Sequence, residues 1–108
     1  MNKQTFPTTL NIIGKTYKVS YINNDIMDKS DKNKPLQLMG TCNNLAGKIR
    51  IKTKKYCNSE IITTLLHESL HAISARLSLD VTENQIDKLS IGMQSLLMDN
   101  PKLNRLLK

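Results

Sequence analysis

"TTLLHESLHAISARLSLDVTENQIDKLS", residues 63–90, carries both histidines of the chain and the hydrophobic rhythm that decides its fold. Ile61, Ile62, Leu65, Leu66, Leu70, Ile73 and Leu77 recur at helical spacing, and Asn58 or Ser59 can cap a helix running to about residue 79. A second helix restarts at once, because Thr82 followed by Gln85 is a capping-box signature that sets Glu83 in the first turn. Ile86, Leu89, Met93, Leu96 and Leu97 form its apolar stripe, and Asp99-Asn100-Pro101 ends it. Only a short turn at residues 79–81 separates the two helices, so the second folds back along the first.

Ahead of this helical hairpin the period is two. Residues 10–22 read as a β-hairpin, with Gly14-Lys15 as a turn whose first central residue takes a positive φ. Tyr17, Val19 and Tyr21 then alternate onto one face. Residues 23–35 are polar and turn-rich, which predicts a surface loop. Residues 36–42 and 48–53 read as two further strands joined across Asn43-Asn44 and Gly47. In the second of these, Ile49, Ile51 and Thr53 share one face, while Lys48, Arg50, Lys52 and Lys54 form a basic stripe on the other. Residues 101–108 make a basic, leucine-containing tail able to form one more short helix. The expected fold is a single α+β domain. A small, mostly antiparallel sheet of three to four strands (residues 1–57) precedes two antiparallel helices (58–100) and the tail (101–108).

Composition agrees with one compact domain: 108 residues, 39% hydrophobic, with 4 glycines and 3 prolines. No apolar run approaches the roughly 20 residues of a bilayer span, and the start lacks the apolar stretch of a signal peptide. The chain therefore reads as a soluble cytoplasmic protein without a membrane role. Cys42 and Cys57 fit that compartment as reduced, structural thiols and lack the C-x-x-C pattern of a structural zinc site. The net charge of +7 admits nucleic acid, acidic proteins and membrane headgroups as partners, and charge alone does not choose among them. Aromatics are sparse (Phe6, Tyr17, Tyr21 and Tyr56), which argues against a stacking platform for single strands and leaves backbone contact through the basic stripe.

The chemistry sits in His67-Glu68-Ser69-Leu70-His71. Residues i and i+4 of a helix share one face about 5–6 Å apart, so both imidazoles can reach one metal ion, and Glu68 is placed to take a proton from water. On the helical wheel the two histidines lie opposite the apolar arc, with Glu68 between that side and the apolar edge. Isolated helical histidines are mostly surface or satisfied core residues. Here both histidines of the chain fall within one five-residue match, which favours metal. A third ligand must be a carboxylate, since no histidine remains; Ser74 and Leu77 stand where a metzincin would have its glycine and third histidine. Glu83 is the preferred ligand, with Asp87 one turn further on the same face as the acceptor for a ligand histidine's other N–H. These two roles can be exchanged, and Glu83 also suits a helix first turn for dipole reasons alone.

His67-Glu68-Ser69-Leu70-His71 followed by Glu83-Asn84-Gln85-Ile86-Asp87 resembles the H-E-x-x-H … E-x-x-x-D arrangement of gluzincin metallopeptidases. The short spacing is similar to the minimal versions, including ImmA/IrrE-type and phage-encoded zinc peptidases. The resemblance covers residues 58–100 with specific positions and the sheet only by general shape. It implies a zincin-like fold, zinc held by His67, His71 and Glu83, and peptide hydrolysis with Glu68 as general base. It also implies that Asp87 orients a histidine, that the setting is a phage or mobile element, and that an extended substrate pairs with an edge strand ahead of the active helix. The natural candidate for that strand is Lys48, Ile49, Arg50, Ile51 and Lys52, whose basic face would favour acidic or DNA-associated substrates. No counterpart of the oxyanion-stabilising tyrosine or histidine of larger gluzincins is identified. Two further expectations stand beside this one: a basic nucleic-acid-binding module with zinc as a non-catalytic clip, and a partner-binding protein with an idle site.

Overall fold

The computed structural model describes residues 6–23, 26–28, 36–53 and 56–107. In chain order these give β1 (Thr9–Ile12), β2 (Lys15–Ile22), β3 (Ile26–Asp28), β4 (Leu36–Leu38), β5 (Gly40–Asn43), β6 (Lys48–Lys52), α1 (Asn58–Leu77), α2 (Glu83–Met98) and α3 (Pro101–Leu106). Four strands form a mixed sheet in the order β1-β2-β6-β5, and β3 pairs with β4 as a separate antiparallel ribbon. The α+β class is as expected, and the basic tail does form a third short helix.

The β1–β2 turn falls one residue earlier than the sequence suggests. Ile12 pairs with Lys15, so the two central residues are Ile13 and Gly14, with φ of 46° and 78°. Two positive φ values give the turn whose twist matches that of the flanking strands. Glycine takes this conformation freely, whereas a β-branched residue does so under strain. The Ile13 carbonyl accepts hydrogen bonds from Arg76 Nε and Nη2 at 3.3 and 3.0 Å, which ties the turn to the last turn of α1.

β2 and β6 run parallel through the middle of the sheet, with Val19 opposite Ile49 and Tyr21 opposite Ile51. Tyr17, Val19, Ile49 and Ile51 are buried under α1 together with Ile12, Ile61 and Ala72. Lys18, Lys48 and Arg50 project to the other, exposed face. Three expectations change here. Lys52 leaves the exposed stripe: it is buried, with its ammonium 5.8 Å from the centre of the Tyr56 ring. Lys54 lies outside the described residues. The segment expected as a loop over 23–35 contains a strand, β3, and its residues 24–25 and 29–35 lie outside the described residues. The strand expected over 36–42 breaks at Met39 into β4 and β5.

The largest correction concerns the edge. β6 has β2 on one side and β5 on the other, so Lys48 to Lys52 have no free backbone edge to offer a peptide. Among the described residues, the unpaired edge beside the helices belongs to β5. Its link to β6 is pinned by Asn44, whose Oδ1 accepts from the Tyr17 hydroxyl at 3.1 Å and the Cys42 thiol at 3.5 Å, while Lys15 Nζ donates to the Asn44 carbonyl. Both cysteines are free thiols, as expected.

α1 is capped by Cys57, not by Asn58 or Ser59: the Glu60 carboxylate accepts from the Cys57 thiol at 3.1 Å and from its N–H at 3.5 Å. The helix stops at Leu77 because Ser78 turns left-handed at φ 55°. α2 begins as expected, with Thr82 Oγ1 accepting from the Gln85 N–H at 3.1 Å and Gln85 Oε1 accepting from the Thr82 N–H at 2.8 Å. Its core contact is narrower than the apolar stripe suggests. Ile86 and Ser90 are buried, while Leu89, Met93 and Leu96 are exposed. Among the described residues no helix is long and apolar enough to cross a membrane.

Candidate metal centre

The sheet-facing line of α1 is Ile61, Thr64, Glu68 and Ala72, a run of three- and four-residue steps that includes a carboxylate. The flank beside it, toward α2, carries His67 and His71. Their rings sit one turn apart with centroids at 4.9 Å and an edge-on angle of 61°. The capping box at Thr82 fixes where α2 starts, and its first residue, Glu83, reaches back to both rings. His67 Nε2 lies 2.5 Å from Glu83 Oε1, and His71 Nε2 lies 2.9 Å from Glu83 Oε2. The two Nε2 atoms are 3.2 Å apart.

His67, His71 and Glu83 thus form a group able to hold a metal ion. Ligand atoms held at about 2.0–2.1 Å around a tetrahedral ion are spaced roughly 3.3 Å apart, so the observed cluster needs only small outward shifts to admit one. Asp87 is not part of this convergence. Its Oδ1 lies 3.5 Å from the other ring nitrogen of His67, Nδ1, on the far side of the ring from the cluster. Of the two exchangeable carboxylates, Glu83 is therefore the one at the centre and Asp87 the one behind His67.

Glu68 is covered by the sheet itself rather than by a second layer. Only 7% of it is exposed. A Cβ built on Gly40 would stand 3.1 Å from Glu68 Cγ, 2.8 Å from Thr64 Cγ2 and 3.1 Å from the Arg50 carbonyl. The absence of a side chain at Gly40 is what lets β5 lie this close to α1. Burial pushes the Glu68 carboxyl up to about 7; His67 nearby pulls it down and Glu83 pushes it up further. A cation in the cluster would act in the downward direction.

These groups line a cleft of roughly 220 Å³ between α1, the start of α2 and the start of β5, with His67, Glu68, Glu83 and Asp87 on the helix side and Met39 and Gly40 on the strand side. Among the described residues, no tyrosine and no third histidine lines it. The Lys52 N–H donates to the Met39 carbonyl at 2.7 Å. In an antiparallel ladder this sets the backbone groups of Met39, Thr41 and Asn43 toward β6 and turns those of Gly40 and Cys42 outward, along the edge that is unpaired among the described residues.

The structure brings together His67, Glu68, His71, Glu83 and Asp87, all named from sequence. It does not bring Lys48 to Lys52 to the cleft. Met39, Gly40 and Thr64 are the additions. Gly40 carried a legible signal, since a lone glycine within a strand pattern marks a close approach of another element. Set against known proteins, the chain matches no family model, no curated protein and no solved structure.

Proposed function

We propose that the chain is a zinc-dependent peptidase in which His67, His71 and Glu83 hold the ion and Glu68 moves the protons. One observation carries this reading: two imidazole Nε2 atoms and both oxygens of Glu83 converge within 2.5–3.2 Å, in a cleft that also contains a buried carboxyl. Two imidazoles and one carboxylate suit zinc, and three protein ligands leave a position open for water or substrate. Magnesium and calcium would ask for an all-oxygen set. When bound, the ion would supply Lewis acidity, lowering the pKa of water toward about 7 and polarising a carbonyl.

The protein's own residues divide the remaining work. Asp87 stands behind His67 Nδ1 and favours the tautomer that leaves the Nε2 lone pair aimed into the cluster. Glu68, held by Gly40 and Thr64, accepts a proton from the attacking water and returns it to the leaving amine. An extended peptide adds to β5 as a further antiparallel strand, bonding to the outward backbone groups of Gly40 and Cys42, which lays its scissile bond along the cleft. This assigns the substrate edge to β5 in place of β6.

Elemental analysis of the purified chain tests the first half, with one zinc per chain expected in the wild type and none in His67→Ala. A wild type that never takes up zinc refutes the proposal. Digestion of an unstructured peptide library, read by mass spectrometry, tests the second. Glu68→Gln should keep its zinc and lose cleavage by a factor of about 10²–10⁴, and an undiminished rate in that variant would remove Glu68 from the mechanism.

A further inference from the structure

The charge of the chain is divided unevenly. Residues 1–57 hold eleven of its 16 lysines and arginines and only three of its 9 acidic residues. The structure gathers part of that excess on the face of the sheet turned away from α1. Lys18 on β2 stands directly opposite Lys48 on β6, and Arg50 follows two residues along on the same face. All three are exposed. Strands lie about 4.8 Å apart and residues i and i+2 about 6.6 Å apart, so three cations crowd into one small area. Like charges placed directly opposite one another destabilise a sheet. Among the described residues no acidic side chain occupies an outward position of the four strands to offset them.

Edge protection does not account for this cluster. Lysines guard sheets against aggregation on edge strands, but β2 and β6 are the two central strands. The surrounding outward positions are hydroxyls and amides: Thr9 beside Lys18, Ser20 and Thr41 on either side of Arg50, and Asn43 beside Lys48. A protein partner would look for an aromatic or aliphatic anchor at the centre of the patch; the outward aliphatic of these strands, Ile22, is partly buried and stands at the far end of β2 opposite Lys52, beyond the three cations. Phosphate groups ask for cations and hydrogen-bond donors only. The tyrosines of β2 point into the core side, so no ring is offered for base stacking.

We propose that this outer sheet face binds duplex nucleic acid through its phosphate backbone, with Lys18, Lys48 and Arg50 as the cationic contacts and no base readout. The binding is independent of the metal cluster, which lies on the helix side of the sheet. Fluorescence anisotropy of the full chain with a short random-sequence DNA duplex, in EDTA, is the test. Three phosphate contacts give a slope of log K against log salt of about −2.7, which is a loss of about 40-fold between 50 and 200 mM salt. The triple variant Lys18→Thr/Lys48→Thr/Arg50→Thr should remove that contribution, and Lys48→Thr alone should lower the slope by about 0.9. Threonine suits a strand, and relief of the cation cluster should leave thermal stability equal or higher. Should the triple variant not fold, the slope of the single variant decides. The helix-side variant Lys88→Thr/Lys102→Thr/Arg105→Thr removes the same charge and should leave binding as in the wild type. Equal losses in the two triple variants, a wild-type slope in Lys48→Thr, or preference of the wild type for poly-glutamate or phosphatidylserine vesicles over the duplex would each overturn the proposal.

Discussion

Replacing Glu68 by Gln in the metal-free chain should stabilise it in a pH-dependent way, and the size of the effect follows from the burial of that carboxyl. Its ordinary pKa of 4.5 is raised to about 7 in the fold. Below pH 4.5 the group is protonated in both folded and unfolded chains and costs little. As pH rises from there the unfolded chain releases its proton first, so the folded state binds more protons and stability falls until the folded pKa is passed. The linkage relation gives a loss of about 0.2 kcal/mol at pH 4 and about 3 kcal/mol at pH 8. Glutamine has the shape of the protonated acid and never ionises, so it avoids this loss. In EDTA, wild type and Glu68→Gln should melt together near pH 4 and separate by on the order of 10 °C near pH 8, the variant being the more stable. Saturating zinc should narrow the gap, because a nearby cation favours the ionised form. A gap that is the same at both pH values in EDTA would show that Glu68 does not ionise against burial, and the reasoning about its environment would be wrong.

Gly40→Ala should destabilise the fold by about 1–3 kcal/mol, since its Cβ would meet Thr64 Cγ2 at 2.8 Å and two further atoms at 3.1 Å. Urea unfolding measures this, and adding Thr64→Ser, which deletes the obstructing methyl, should recover part of the loss; a neutral Gly40→Ala would mean that β5 does not press on α1 as described. Asp87→Asn should keep one zinc per chain but weaken its binding by about 10–100-fold, whereas Glu83→Gln should lose stoichiometric zinc at micromolar concentrations. Competition titration with a chromophoric chelator separates the two, and the reverse ranking would exchange their roles.

The site was more legible than the sheet, for reasons of range. His67 and His71 are linked by helix geometry alone, and Glu83 by a short turn and a capping box, so every step from residue to cluster is local. Strand order is not. The alternation over residues 48–53 correctly separates Ile49 and Ile51 from Lys48 and Arg50, but alternation says nothing about which strands lie on either side. The parallel pairing of β2 with β6, across an intervening stretch of more than twenty residues, turned the expected edge into the centre. The packed face of α1 departs from its apolar arc for a related reason. Hydrophobicity favoured an arc through Leu66 and Leu70, whereas the sheet packs on Ile61, Thr64, Glu68 and Ala72. Thr64 and Glu68 are buried there because β5 approaches at Gly40, which only the assembled sheet reveals. Lys52 departs from its stripe in the same way, through a neighbouring ring rather than through its strand.

A small core makes the cluster matter for the fold as well as for chemistry. α2 buries little more than Ile86 and Ser90 against the rest of the chain. Polar contacts with α1 reinforce that hold toward both of its ends. Toward its C-terminal half, Gln94 bonds to Thr63 and to Ser59, the latter through its Nε2 at 3.1 Å from the carbonyl. At its N-terminus, Glu83 meets the two histidines. Without a cation that second point joins one carboxylate, 69% exposed, to two rings that must carry protons to bond it. A bound ion would replace those hydrogen bonds by three ligand bonds and fasten the start of α2 to α1. Any ligand that binds only the folded chain adds RT ln(1 + [L]/Kd) to its stability, about 4 kcal/mol at a thousandfold excess over Kd. That is of the same order as the burial cost carried by Glu68. The carboxyl proposed as the base weakens the metal-free fold, and an ion held by His67, His71 and Glu83 would offset that loss.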